Sequence, residues 1–165
     1  MKAPDRDDQK YGVSVKVGLA ASWYGMSSIY FFNKWNGAAY VQWCREKLVP
    51  YKNRYYHSER IHLVQDNDPS HLTKAAKEYF RRSGFLFEEK YKFCSNSGDL
   101  NIVENIWGLI LENMEDKDTS SLPKLKHAIL DAARAIPKEH VQHMVTSMPR
   151  RIQACIEVEG GRTKY

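Results

Sequence analysis

Apolar side chains recur at every second position near the start of the chain. Val13, Val15, Val17 and Leu19 have the period of a strand with one buried face. Residues 20–23 extend that strand, Gly25 marks a tight turn, and Ile29-Tyr30-Phe31-Phe32 makes the returning strand of a hairpin. The period then lengthens. After Asn36-Gly37, Tyr40, Cys44 and Leu48 recur every four residues, which predicts a helix with Pro50 near its end. The polar stretch up to Ser58 has room for another turn. Residues 61–65 return to strand type. Asp68 is placed to cap a following helix, with Pro69 in its first position, where a missing N–H costs nothing. Gly84 closes that helix in the left-handed conformation. Phe85-Leu86-Phe87 begins another strand, and residues 95–98 form a loop. A strong helical pattern runs over residues 101–114, with Ile102/Val103, Ile106/Trp107 and Ile110/Leu111 as one apolar stripe. A charged linker over 115–120 leads to helices over 122–136 and 137–148 and a last segment ending at Gly160-Gly161.

This order predicts an α/β fold in which an antiparallel hairpin leads into parallel strands. Residues 1–12 form a polar, flexible lead, residues 13–114 the core, and residues 115–165 a C-terminal helical part of the same domain. The 165 residues suffice for one hydrophobic core. Ten Tyr and four Trp argue against a disordered chain. No internal repeat or low-complexity tract interrupts the pattern. The three cysteines, Cys44, Cys94 and Cys155, are far apart and form no CxxC pair, against both a disulfide framework and a cysteine zinc site. Each is read as a small buried hydrophobe in a reducing compartment. No apolar run is long enough to span a membrane, and no secretory signal is visible. A charge of +5 is compatible with a phosphate-rich partner without demanding one.

Two carboxylates carry candidate chemistry. Asp66 stands where a strand turns towards a helix, in Gln65-Asp66-Asn67-Asp68-Pro69-Ser70-His71. Glu104 stands at the start of a helix, in Ser97-Gly98-Asp99-Leu100-Asn101-Ile102-Val103-Glu104-Asn105-Ile106-Trp107. A strand end and a helix are rigid mounts for ligands of hard cations, which prefer carboxylate oxygen. Each acid alone has a plainer reading. Asp66 suits a turn or cap, and Asn101 with Glu104 has the spacing of a capping box.

The two motifs together resemble the second and third acidic motifs of the Tc/mariner transposases, typically Gln-Asp-Asn-Ala-Pro-Cys/Ser-His and Ser-Pro-Asp-Leu-Asn-Pro-Ile-Glu-Asn-Leu-Trp. The C-terminal stretch Ser147-Met148-Pro149-Arg150-Arg151-Ile152-Gln153-Ala154, then Gly160-Gly161-Arg162-Thr163-Lys164-Tyr165, is also similar, so the resemblance covers nearly the whole chain. It implies a ribonuclease-H-like fold, a mixed sheet flanked by helices, and metal-dependent DNA cleavage and strand transfer. It implies Asp66 and Glu104 as catalytic metal ligands for Mg²⁺ or Mn²⁺, with Asn67 and His71 at the rim near substrate. DNA is the implied partner, with a homo-oligomer possible and no membrane. The nucleus is the implied location, and the cytosol stays open.

Departures from the family qualify that reading. The family's first acid lies on a central strand that would precede residue 1, so the sheet is expected to miss its first strand. Asp5, Asp7 and Asp8 sit in the polar lead instead. The family's helix-turn-helix region, like its first acid, is expected ahead of residue 1 and is not read within these residues. Gly98 and Ile102 replace family prolines. The spacing from Asp66 to Glu104 exceeds the family's usual one, with the extra length expected ahead of Ser95. Whether the chain is an enzyme is therefore open. The alternative is a catalytically inactive, domesticated transposase-derived domain that binds DNA or protein. Lys74, Lys77, Arg81, Arg82, Arg150 and Arg151 are candidate phosphate contacts, against the plainer reading of solvated helix faces. The tryptophans do not alternate with basic residues as a single-strand platform would, and Trp107 reads as core.

Overall fold

The computed structural model describes residues 13–86, 97–161 and 163. The expected lead, Asp5, Asp7, Asp8, Phe87, Cys94 and the extra length ahead of Ser95 lie outside these residues.

The opening alternation folds only in its later part: the strand begins at Lys16, and Val13 is 44% exposed. Strand β1 (Lys16–Gly18) pairs antiparallel with β4 (Tyr30–Phe32), and the hairpin continues as β2 (Ala21–Ser22) with β3 (Gly25–Met26). From the Gly18↔Tyr30 pair to the Ala21↔Met26 pair, one strand advances three residues and the other four. The returning strand therefore carries a bulge. Ser27 fills it: its hydroxyl accepts the Ala20 N–H at 2.8 Å, and its own N–H donates to the Ala20 carbonyl at 2.7 Å. Gly25 takes φ +103°, which a side chain would disfavour, and closes the turn.

The hairpin divides two cores. Val15, Val17 and Leu19, with Phe31, face Ile106, Ile110, Ile129, Ala132, Ile136 and Val141. Tyr30 and Phe32 face Tyr40, Trp43, Cys44, Leu48, Ala76, Phe80 and Phe85. Strand alternation thus places helices on both faces.

One helical run follows the hairpin: α1 (Gly37–Trp43), a π-helical turn (Cys44–Leu48) and α2 (Val49–Tyr56). The sequence placed Pro50 near the helix end, yet the run continues past it. Proline lacks an N–H and crowds the carbonyl four residues back, and the wider turn ahead of Pro50 relieves this. Tyr40, Cys44 and Leu48 are buried, as their spacing required.

Next comes a parallel unit: β5 (Ile61–His62), α3 (Lys74–Arg82) and β6 (Phe85–Leu86), in register Ile61↔Phe85. Gly84, at φ +74°, follows the helix in the left-handed conformation. Two expectations shift here. Among the described residues the strand read over 61–65 pairs at Ile61 and His62 alone, and the sheets are three two-stranded pairs. Val64 is 66% exposed. The cap of α3 is Thr73, whose hydroxyl accepts the Ala76 N–H, not Asp68. Asp68 instead caps a single turn through Ser70.

A short 3₁₀ turn (Gly98–Leu100) precedes α4 (Ile102–Glu112), followed by α5 (Leu122–Arg134) and α6 (Lys138–Glu157). On α4, Ile106 and Ile110 are buried while Leu111 is 66% exposed, so the stripe is narrower than the sequence suggested. Helix α6 absorbs Pro149 rather than ending at Met148. Hydroxyls of Thr146 and Ser147 donate to carbonyls of Gln142, His143 and Met144 just upstream of it. Among the described residues no helix is long and apolar enough to cross a membrane.

Candidate active site

Asp66 lies in the extended segment after β5, ahead of the Asp68–Leu72 turn. Its Oδ1 sits 2.8 Å from His71 Nδ1 and accepts the Asp68 N–H at 3.1 Å. The turn that brings His71 back is closed by the His71 N–H to the Asp68 carbonyl and the Leu72 N–H to the Pro69 carbonyl. Asp66 is 57% exposed at its side chain and His71 only 13%. The imidazole is enclosed by aromatic rings, with Tyr40 at 4.2 Å and Trp35 edge-on at 5.6 Å between centroids. Asn67 is half-buried.

Neighbours on both sides of Asp66 are held by other elements. The Tyr40 hydroxyl of α1 donates to Gln65 Oε1. Trp35 Nε1 donates to both oxygens of Asp68, at 3.2 and 3.1 Å. Partial burial raises the pKa of Asp68, but the Ser70 N–H, the Trp35 N–H and the facing His71 outweigh it, and the carboxyl lies below its ordinary value. Tyr40 is pushed well up, first by burial and then by Cys44 beside it. Burial also pushes the Cys44 thiol up to about 12, against a hydrogen bond with Tyr40 that lowers it.

Glu104 occupies the third position of α4. Asn101 caps that helix, its Oδ1 accepting the Val103 N–H at 3.2 Å. The capping box is not closed, because the Asn101 N–H donates to the Gly98 carbonyl instead. The Glu104 carboxylate is exposed and has no partner among the described residues. Its neighbour Asn105 is anchored from α6: Arg151 Nη1 donates to Asn105 Oδ1 at 2.7 Å, and Arg151 Nε donates to Ser147 Oγ at 2.8 Å. Arg151 is buried, so it serves the interior and is no surface phosphate contact, whereas Arg150 is exposed. Arg81 and Arg82 pair with Glu78 on their own helix at 2.8 and 2.7 Å.

The structure joins Asp66 directly to His71, and among the described residues Glu104 makes no hydrogen bond or ion pair with either. Among the described residues no three His, Cys, Asp or Glu side chains form a metal-holding group. The donors nonetheless fit a hard divalent cation in kind. Glu104 offers a whole carboxylate, and only Oδ1 of Asp66 is engaged. Sequence reasoning missed Trp35 and Tyr40. Their signal was tertiary, since nothing near them in sequence announces a contact with residues 65–71.

Two helical layers about a hairpin and a parallel pair, with one acid after β5 and another on α4, make a ribonuclease-H-like fold. No family model matches the chain. Among characterised proteins it is 35% identical over 101 residues to the Tcb2 transposase of Caenorhabditis briggsae, covering 61% of this chain. It is 27% identical over 135 residues to the Tc3 transposase of Caenorhabditis elegans, covering 81% of this chain. The chain spans 36% and 40% of those two relatives. Among solved structures, the Mos1 transposase catalytic domain with Raltegravir and Mn superposes with a TM-score of 0.79 at 16% identity, over 91% of this chain and 78% of that one. A pre-cleavage Mos1 transpososome superposes with a TM-score of 0.82 at 16% identity, over 99% of this chain and 48% of that one. In sequence the chain is similar to transposases of the Tc type, and in fold to the Mos1 transposase catalytic domain.

Proposed function

We propose that this domain acts on DNA phosphodiesters in a transposition reaction, with Asp66 and Glu104 holding Mg²⁺ or Mn²⁺. A divalent ion at such carboxylates supplies charge stabilisation at a phosphoryl oxygen and a more acidic bound water. Asp66 presents a carboxylate oriented by His71, and Glu104 presents one free to turn towards a ligand. Asn67 and His71 flank Asp66, where a DNA backbone would run. The observation that carries the reading is the open capping box: Asn101 caps α4 without Glu104, whose carboxylate stands in solvent with no partner among the described residues. A capping glutamate would have been turned back onto the helix end. The relatives are transposases of transposable elements, and the Mos1 neighbours include a manganese-bound catalytic domain and a transpososome, which supports the choice of ion and of DNA. A role on chromosomal DNA supports a nuclear location, and the Mos1 paired-end complex with a left transposon end supports a homo-oligomer on DNA ends.

The test is incubation with labelled linear and supercoiled DNA in Mg²⁺ or Mn²⁺, with Asp66→Ala and Glu104→Ala in parallel. Cutting that both substitutions abolish is the expected result. Cutting that survives Asp66→Ala removes Asp66 from the mechanism, and no cutting by the folded chain overturns the proposal for this chain.

A further inference from the structure

Asp66 has a carboxylate to present but, among the described residues, no sheet ladder to hold it. Strand β5 ends at His62, and residues 63–68 have no strand partner among the described residues. Side chains from other elements do the holding. Tyr40 takes Gln65, His71 takes Asp66, and Trp35 takes Asp68, so three residues around the acid are each fixed by a different group. The three holders are themselves one packed unit. Tyr40 and His71 are 4.2 Å apart, Trp35 and His71 5.6 Å, and Trp35 and Tyr40 6.0 Å, between ring centroids. Tyr40 is buried against Phe80 and Trp43, which ties the unit to the core.

We infer that Trp35, Tyr40 and His71 are positioning residues that set the direction of the Asp66 carboxylate towards a divalent cation. His71 is central. Its Nδ1–H donates to Oδ1, which fixes the plane of the carboxylate and leaves Oδ2 for a ligand. Trp35 acts one step further out. By gripping both oxygens of Asp68 it fixes the backbone N–H of Asp68, the second donor to Asp66 Oδ1. Groups that orient a ligand in this way commonly alter metal affinity about 10- to 100-fold when removed. The inference rests on the reading of Asp66 as a metal ligand.

The experiment is Mn²⁺ binding to the full chain, followed by the electron paramagnetic resonance signal of free Mn²⁺, with no DNA present. The variants are His71→Ala, His71→Asn, Trp35→Phe, Asp66→Ala and Glu104→Ala, with Glu78→Gln as a surface control. His71→Ala is expected to weaken binding about tenfold. His71→Asn, whose amide nitrogen takes the place of Nδ1, is expected to restore most of it. Trp35→Phe keeps a ring but removes the donor, and is expected to weaken binding severalfold. If His71→Ala and His71→Asn lose affinity equally, only packing matters and the positioning role of His71 is overturned. If Asp66→Ala weakens binding while His71→Ala and Trp35→Phe do not, the metal reading stands and the positioning layer falls. If Asp66→Ala leaves binding unchanged, or the wild-type chain binds no Mn²⁺, the metal reading fails and the inference fails with it.

Discussion

At the scale of single residues, the informative contrast is between two acids in one motif. Asp66 is exposed and faces His71, while Asp68 is drawn inward by Trp35 and Ser70. Those donors hold the Asp68 carboxyl below its ordinary value of 3.8 despite partial burial. A depressed folded-state pKa contributes stability that is present above the unfolded value and is lost as pH falls through the folded one. Asp68→Asn should therefore flatten the decline in stability below about pH 4, as read from urea denaturation over a pH series. An equally steep acid limb in the variant would assign that decline to other carboxylates. Glu104 behaves oppositely. Because its carboxylate has no partner among the described residues, Glu104→Ala should leave the melting temperature within about 1–2 °C of wild type while removing cleavage. Cys44 is fully buried and its thiol is pushed up to about 12, first by burial. It should resist iodoacetamide at neutral pH in the native chain and react after unfolding, as peptide mapping by mass spectrometry would record.

At the scale of elements, close approach explains choices that periodicity could not. Helix α1 begins at Gly37 against Thr73, the cap of α3, and a Cβ added at Gly37 would lie 2.5 Å from Thr73 Cγ2. Alanine would otherwise suit a helix better than glycine. Here Gly37→Ala should lose about 1–3 kcal/mol by overpacking, and Thr73→Ser in the same chain should recover part of it. Additive losses in denaturant melts of the double mutant would show that the two positions do not compete for space. Helix α6 gives a second case. Arg151 reaches from it to Asn105, beside Glu104, so a residue with the look of a phosphate contact is an internal strut.

At the scale of the whole molecule, the same distinction separates stability from DNA affinity. Lys74 and Arg150 are exposed, Arg81 and Arg82 share Glu78, and Arg151 is buried. An exposed cation on duplex DNA contributes about 0.9 to the slope of log affinity against log salt. If Arg150 lies on the DNA path, Arg150→Ala lowers that slope by about one contact at unchanged stability. A slope identical to wild type in a salt titration would place Arg150 off the path. The two cores divided by one hairpin make the domain a three-layer structure, with helices α4 to α6 on one face and α1 to α3 on the other.

The sequence by itself determined most of the element order. Alternation over Val15, Val17 and Leu19 fixed the buried face of the first strand, the fourfold spacing of Tyr40, Cys44 and Leu48 fixed a buried helical stripe, and Gly84 fixed a helix end. These are local effects of period and backbone freedom, and they survive whatever surrounds them. The two acidic motifs were legible for the same reason, being contiguous residues in a recognisable order. The tertiary structure decided what those residues touch. The cap of α3 is Thr73 because residues 68–72 form a separate turn, which Asp68 caps through Ser70 while it meets Trp35, 33 residues away. Pro50 and Pro149 did not end their helices, because a π-helical turn accommodated the first and packing and hydroxyl bonds held the chain helical around the second. The open capping box at Glu104, the inward turn of Arg151 and the aromatic enclosure of His71 likewise depend on partners distant in sequence or on competing local acceptors. A pattern of residue types fixes which face of an element is apolar, but which polar group reaches which partner is settled only when the elements pack.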